Sequence, residues 1–202
     1  MIVDADQEVR RGRPRNESCT TEILTATLEL VAEIGHGALT MDAVAAKAGV
    51  GKATIYRRWS SKEALMLDAW TSCVQAPTVP DTGNVRDDLR VFLRGVDSGV
   101  RNRELQRVYP QLIAAARVNP EVGARYQEFI TQRRAPMRAL LERALARGEI
   151  RADTDLDVLH ELLIAPMVYR WMITDSPVDG DFIDRLVLAV LRGAQAEPLT
   201  QG

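Results

Sequence analysis

The sequence has few of the residues that build disulfides, metal sites or catalytic centres. Its 202 residues include two cysteines and two histidines. Cys19 and Cys73 lie far apart, with no second cysteine or histidine at ligand spacing, so neither a disulfide framework nor a zinc site is expected. No serine or cysteine stands beside a base, and no glycine-rich phosphate loop occurs. These absences predict a protein that is not an enzyme and binds no cofactor or metal.

Long apolar segments are also missing. The longest apolar runs, such as residues 186–191, fall far short of the roughly 18 residues that a membrane span needs. The first residues are acidic and then basic, without the apolar stretch of a signal peptide. We therefore expect a soluble cytoplasmic protein that does not contact a membrane. A hydrophobic content of 46% is nevertheless enough to build packed domains.

The net charge is also small, at −2, and by itself it argues against a nucleic-acid-binding protein. The charge is segregated along the chain, however. Residues 1–9 carry three acids and no base (−3), residues 10–62 carry nine bases and five acids (+4), and residues 63–202 carry 17 bases and 20 acids (−3). A basic segment joined to an acidic body indicates a polyanion-binding module. Solvated charge on an ordinary surface is the alternative interpretation.

Apolar residues recur at spacings of three and four, and no alternating run of β-branched residues predicts a strand. The pattern therefore predicts an all-α protein of about nine or ten helices. The proline-containing segment 76–81 is expected to separate two domains. We place a flexible basic arm at residues 1–16, an N-terminal helical domain at 17–77 and a C-terminal helical domain at 78–202.

Two short helices joined by residues 48–51 predict a helix-turn-helix, because Gly49 can adopt the positive φ of the sharp turn. Ile55 and Trp59 are expected in the core, which turns the rest of the second helix toward a DNA major groove. A capping box over residues 60–63 is expected to start the next helix. The side chains predicted to contact phosphates are Thr40, Lys52, Tyr56 and Lys62, and those predicted to contact base edges are Thr54, Arg57 and Arg58.

Residues 39–65 resemble the DNA-binding region of the TetR family of transcriptional regulators. The shared pattern is a threonine before the first short helix, Ala-x-x-Ala-Gly-Val over residues 45–50, Lys-x-Thr-hydrophobic-Tyr over residues 52–56, and Ser-Lys-Glu-x-Leu over residues 61–65. Gly51 replaces a common serine, which weakens the N-cap of the second helix, and Trp59 replaces a common phenylalanine. The resemblance implies a homodimer on a palindromic or near-palindromic DNA operator, acting as a repressor that a small-molecule effector releases.

The resemblance also implies that the last two helices pair across a dimer axis, since residues 165–170 are similar to a segment of one TetR subgroup. The alternative is that the same residues form intramolecular core. The residues predicted to form this dimer interface are Leu156, Leu159, Leu163, Met167, Arg170, Leu186 and Val190.

Two further sites are predicted, and each has a simpler alternative interpretation. Arg13 and Arg15 are predicted to enter an A·T-rich minor groove, unless the arm is only a soluble tail. Tyr109, Tyr126, His160 and Tyr169 are candidates for a ligand pocket, although aromatic residues at helical spacing are more often core. A competing hypothesis for the whole chain is a helical small-molecule-binding protein or enzyme whose basic region is incidental.

Overall fold

The computed structural model describes residues 14–74, 77–100 and 103–194. Within these ranges the chain is all-α, which confirms the predicted fold class. The nine described helices are α1 (Pro14–Ala38), α2 (Met41–Lys47), α3 (Lys52–Tyr56), α4 (Lys62–Cys73), α5 (Val85–Val100), α6 (Arg103–Val118), α7 (Pro120–Ala146), α8 (Leu156–Tyr169) and α9 (Gly180–Ala194), and a π-helical turn (Arg170–Thr174) follows α8. None of these described helices combines the length and apolarity needed to cross a membrane.

Helix α1 starts earlier than the sequence predicts. It begins at Pro14, so Arg15 and the residue after it are helical and not part of an extended arm. The reason is that proline at the first helical position has the right φ and gives up no hydrogen bond. Gly35 has a φ of 76°, which interrupts the helical conformation near the end of α1. Arg13 lies outside the described residues.

The chain divides into two compact units, residues 1–69 and 70–202. The division falls inside α4, ahead of the boundary predicted after residue 77. Trp70 packs with the second unit because its ring stacks on Tyr109, with 4.7 Å between ring centroids. The backbone carbonyl of Val74 likewise accepts a hydrogen bond from Arg133.

The first unit has a core to which all four of its helices contribute. Ile23 of α1, Val44 of α2, Ile55 of α3 and Leu65 of α4 are fully buried. Ala45 is also buried, and its small side chain allows the close approach of α2 and α3. This core fixes the directions of the two short helices.

The core of the second unit is built from α5, α7, α8 and α9, which contribute Leu89, Leu140, Leu163 and Val187 among other buried residues. A buried carboxylate reinforces it. Asp88 accepts hydrogen bonds from the Thr82 amide at 2.6 Å and the Thr82 hydroxyl at 2.8 Å, and from Arg143 Nη2 at 2.9 Å. These contacts tie the segment before α5 to helix α7.

Candidate functional site

The turn between α2 and α3 has the geometry that its sequence predicts. Gly49 has a φ of 67°, and the Val50 amide donates to the Ala45 carbonyl at 3.0 Å. Thr40 caps α2, because its Oγ1 accepts a hydrogen bond from the Ala43 amide at 3.1 Å. Gly51 precedes α3 without a side-chain cap, as expected from the absence of serine there. Helix α3 is therefore held by packing more than by capping.

Helix α3 presents one buried and one exposed face. Ile55 is 0% exposed and Trp59, just beyond the helix, is 3% exposed, which confirms both as core residues. The Trp59 indole donates to Asp68 Oδ2 at 2.8 Å. Tyr56 is 55% exposed, and Arg57 is exposed beside it. The side chains on the exposed face are Lys52, Tyr56 and Arg57, with Thr54 partly exposed between them.

Arg58 departs from the predicted base-contacting set. Its Nη1 donates to the Thr20 hydroxyl of α1 at 2.7 Å, and the residue is half-buried. The side chain therefore points into the unit, because α1 supplies a hydrogen-bond acceptor within its reach. In this conformation Arg58 links α1 to the end of α3.

Lys62 lies in the first turn of α4, where Ser61 Oγ accepts from the Ala64 amide at 3.1 Å. This cap places the start of the helix one residue later than a box beginning at Ser60 implies. Lys62 also affects His36: burial, followed by the Lys62 charge, lowers the pKa of that imidazole. His36 is therefore neutral at neutral pH, and the positive charge at this place belongs to Lys62.

Two of the three lysines are already paired with carboxylates. Lys52 Nζ lies 2.6 Å from Asp42 Oδ2, and this hydrogen bond is the main cause that raises the pKa of Lys52. Lys47 Nζ lies 2.6 Å from Glu33 Oε1 and 3.4 Å from Glu29 Oε2. Exposed pairs of this kind contribute little stability, so a phosphate can replace Asp42 at Lys52 at small cost.

The second unit contains a cavity of about 490 Å³ between its helices. Two of the four predicted ligand residues, Tyr109 and His160, line it. Tyr126 does not line the cavity, but its hydroxyl lies 2.7 Å from the hydroxyl of Tyr109, which does. The structure does not place Tyr169, the fourth predicted ligand residue, at this cavity. Its side chain is 57% exposed on the outer face of α8, where it lines a separate shallow groove.

Several cavity residues were not identified from the sequence. They are large side chains at ordinary helical spacing, and the same spacing predicts solid core, so no signal marks them as cavity walls. The additional lining residues include Trp70, Phe92, Phe129, Arg133, Arg134, Glu161, Trp171 and Met172.

The burial of Tyr109 and its hydrogen bond to Tyr126 raise the pKa of the Tyr109 phenol far above its ordinary value, so Tyr109 remains a neutral hydrogen-bonding group.

Most of the predicted dimer-interface residues lie inside the second unit instead. Five of them are at most 9% exposed because they pack in its core, as the alternative interpretation held: Leu156, Leu159, Leu163, Met167 and Leu186. Arg170 and Val190 are half-buried. The exposed apolar residues of this region are Val158 (51%), Leu162 (52%), Tyr169 and Ile173 (69%). Three of these, at spacings of four and seven, lie on one outer face of α8.

Comparison with known proteins gives two family matches. Residues 23–69 match the family model described as "Bacterial regulatory proteins, tetR family", and residues 79–190 match "Tetracyclin repressor-like, C-terminal domain". The chain is 34% identical to the HTH-type transcriptional regulator YdeS of Bacillus subtilis, over 95% of this chain and 98% of that protein. It is 33% identical to the DNA-binding transcriptional repressor TetR of Mycobacteroides abscessus, over 88% of this chain and 94% of that protein. The crystal structure of the TetR family transcription regulator SCO0332 is similar at a TM-score of 0.70 and 36% identity, with 89% of this chain and all of that chain covered.

Proposed function

Because the chain belongs to the TetR family and is a DNA-binding transcriptional regulator, we propose that it acts as a homodimeric repressor that a small effector molecule releases from its operator. The observation that carries this proposal is the pairing of two sites in one chain. The first unit has an exposed polar face on a helix-turn-helix, and the second has a cavity of about 490 Å³. A cavity of this size suits a drug-sized ligand.

The proposed DNA contacts combine phosphate binding and base readout. Lys52 and Lys62 supply positive charge, and the hydroxyls of Thr40 and Tyr56 supply hydrogen-bond donors for phosphates. Arg57 is the proposed base-reading residue, because an exposed guanidinium suits the O6 and N7 atoms of guanine. Thr54 is a second candidate for base contact. Arg13 remains a proposed minor-groove contact on sequence grounds alone, whereas the helical Arg15 lies outside an extended arm.

We expect the affinity for duplex DNA to fall steeply with salt. Two lysines from each protomer would neutralise about four phosphates, which corresponds to about a hundredfold loss between about 50 and 200 mM salt. The measurement is fluorescence anisotropy of the full chain with a labelled duplex selected from a random library. An affinity that is independent of salt, or no duplex binding at low salt, would contradict the proposed DNA-binding face.

The proposed dimer contact is the outer apolar face of α8, around Val158, Leu162 and Tyr169. In a dimer, α3 of each protomer is the recognition helix. The two recognition helices reach successive half-sites only when they are about one helical turn of DNA apart, so a palindromic operator needs a fixed pair of protomers. A second copy of this chain is therefore the occupant that we assign to the face. Arg170 and Val190, which are partly exposed, are proposed to lie at its edge.

We expect Leu162→Glu to weaken the dimer at least about tenfold, because it places one carboxylate from each protomer in an apolar contact. Analytical ultracentrifugation of the full chain measures the dissociation constant. Val91→Glu is the matched control, since Val91 is a helical residue of similar exposure (46%) on α5. A Leu162→Glu dimer as tight as the control would exclude this face as the interface.

Effector release would follow from a shift in the spacing of the two recognition helices. A ligand that fits the cavity better in one dimer geometry than in another shifts the population toward that geometry. Geometries in which the helices miss successive half-sites do not hold the operator. Scattering or spin-label distances between paired first units, with and without ligand, test this mechanism, and an unchanged spacing would contradict it.

A further inference from the structure

Aromatic side chains form much of the wall of the cavity in the second unit. Each of the helices α4, α5, α6 and α7 contributes one aromatic residue, and the π-helical turn contributes another. Aromatic rings attract one another in offset-stacked or edge-to-face arrangements, so this wall favours a ligand with a flat aromatic body. The five aromatic residues are Trp70, Phe92, Tyr109, Phe129 and Trp171.

The charged side chains of the wall already contact other groups of the protein. Arg134 Nη2 lies 3.1 Å from Glu161 Oε1. Arg133 donates from Nη1 to the Val74 carbonyl at 3.1 Å, and its guanidinium lies 5.6 Å from the centroid of the Phe129 ring. A charged ligand would lose its water and compete with these contacts, which costs free energy. The wall therefore favours an uncharged ligand.

Two ring nitrogens of the wall residues are buried and make no hydrogen bond with the described residues. They are Nε1 of Trp70, a residue that is 4% exposed, and Nδ1 of His160. The indole of Trp171 differs, because its Nε1 donates to Asp97 Oδ1 at 3.3 Å. Buried polar atoms are usually hydrogen-bonded in folded proteins, since leaving one unsatisfied costs free energy. Both unsatisfied rings line the cavity, so a polar group of a ligand there can supply the missing partner.

The chemistry of the two nitrogens specifies that polar group. An indole N–H only donates, so Trp70 needs an acceptor atom. Burial, followed by the charge of Arg134, lowers the pKa of the His160 imidazole, and Glu161 and Asp157 oppose this shift without reversing it. The ring is therefore neutral at neutral pH, and its Nδ1 donates or accepts according to the tautomer. A carbonyl oxygen suits the indole, and a hydroxyl suits either ring.

We infer that the effector is an uncharged aromatic molecule with a hydrogen-bond-accepting oxygen, which packs its rings against the aromatic wall and places that oxygen at the Trp70 indole N–H. A second polar group of the same molecule, such as a hydroxyl, binds His160. This inference rests on the proposed function only in treating the ligand as an effector. A fully apolar molecule of the same shape would leave both ring nitrogens unsatisfied.

The test compares four naphthalenes of one shape on the full chain without DNA, by equilibrium dialysis. The probes are 2-acetylnaphthalene, which is neutral and has an accepting oxygen, 2-ethylnaphthalene, which has none, the anion 2-naphthoate, and the cation 1-(2-naphthyl)ethylammonium. We expect the ketone to bind at least about fivefold more tightly than the hydrocarbon and at least about tenfold more tightly than either ion. An ion or a hydrocarbon that binds as tightly as the ketone, or no binding of any probe, would overturn the inference.

Trp70→Phe keeps an aromatic ring and removes the N–H, so we expect the preference for the ketone over the hydrocarbon to fall to about twofold or less. Trp171→Phe is the matched control, because it shortens another cavity indole whose N–H already donates to Asp97. That variant is expected to weaken both probes alike and to preserve their ratio.

Circular dichroism checks that each variant is folded. A folded Trp70→Phe variant that keeps the preference would overturn the role of the indole N–H. An equal fall in Trp171→Phe would trace the effect to ring size and overturn it as well. If Trp70→Phe does not fold, the comparison of the four probes on the unmodified chain decides the question.

The outcome remains distinct from that of the proposed function when the same four probes are added to the complex with the selected duplex. A ketone that binds but does not release the duplex would contradict the effector role, and the ligand class of the cavity would stand. Release of the duplex by one of the ions alone would support the proposed function and overturn the ligand class.

Discussion

Asp88→Ala is expected to lower the free energy of unfolding of the second unit by about 2–3 kcal/mol, because it removes a buried carboxylate that accepts hydrogen bonds from Thr82 and from the partly exposed Arg143. Asp88 is 1% exposed, and it is the shared acceptor for Thr82 and Arg143. Without Asp88, the Arg143 guanidinium loses its closest carboxylate. The Thr82 amide loses its acceptor at the same time.

Urea denaturation followed by circular dichroism measures this loss. Asp153→Ala is the control, because the Asp153 side chain is 79% exposed and pairs only with Arg151 among the described contacts. That variant should differ from the unmodified chain by a few tenths of a kcal/mol, as surface substitutions usually do. A loss for Asp88→Ala no larger than that for Asp153→Ala would mean that the Asp88 contacts do not stabilise the unit.

Arg57→Ala is expected to reduce the affinity of the dimer for its selected duplex about a thousandfold. The proposed dimer carries Arg57 twice, and a bidentate contact to guanine is worth about 2 kcal/mol at each half-site. Because the contact reads bases, we expect little loss on a scrambled duplex of the same length. Anisotropy titrations on both duplexes measure the change.

Arg117→Ala serves as the control, since Arg117 is an exposed arginine in the second unit. An equal loss on both duplexes, together with a smaller salt dependence, would show that Arg57 binds phosphate. No loss on either duplex would contradict the assignment of this face of α3 to DNA.

The helix-turn-helix was predictable because its determinants are local. Gly49 supplies a backbone conformation that few other residues adopt, and the four-residue spacing of Ile55 and Trp59 marks the buried side of a short helix. Arg58 was not predictable in the same way. Its direction depends on Thr20, which lies in another helix and is distant in sequence.

The proposed dimer face of α8 illustrates a limit of prediction from hydrophobic periodicity. Helix α8 has apolar residues on both sides, with Leu159 and Leu163 next to Val158 and Leu162. Such a pattern predicts that both sides are covered but not which one the rest of the chain covers. Packing of α8 against α7 and α9 decides it, so Leu163 is buried and Leu162 is exposed. The cavity residues escaped prediction for a similar reason, since a cavity wall and a filled core need the same side chains.

The positions of the three tryptophans allow intrinsic fluorescence to report ligand binding in the cavity. Trp70 and Trp171 line the cavity, whereas Trp59 is buried in the first unit with its indole bonded to Asp68. A molecule entering the cavity changes the surroundings of two emitting rings and leaves the third as an internal reference. Occupancy of the cavity is therefore readable from intrinsic emission, without any attached dye.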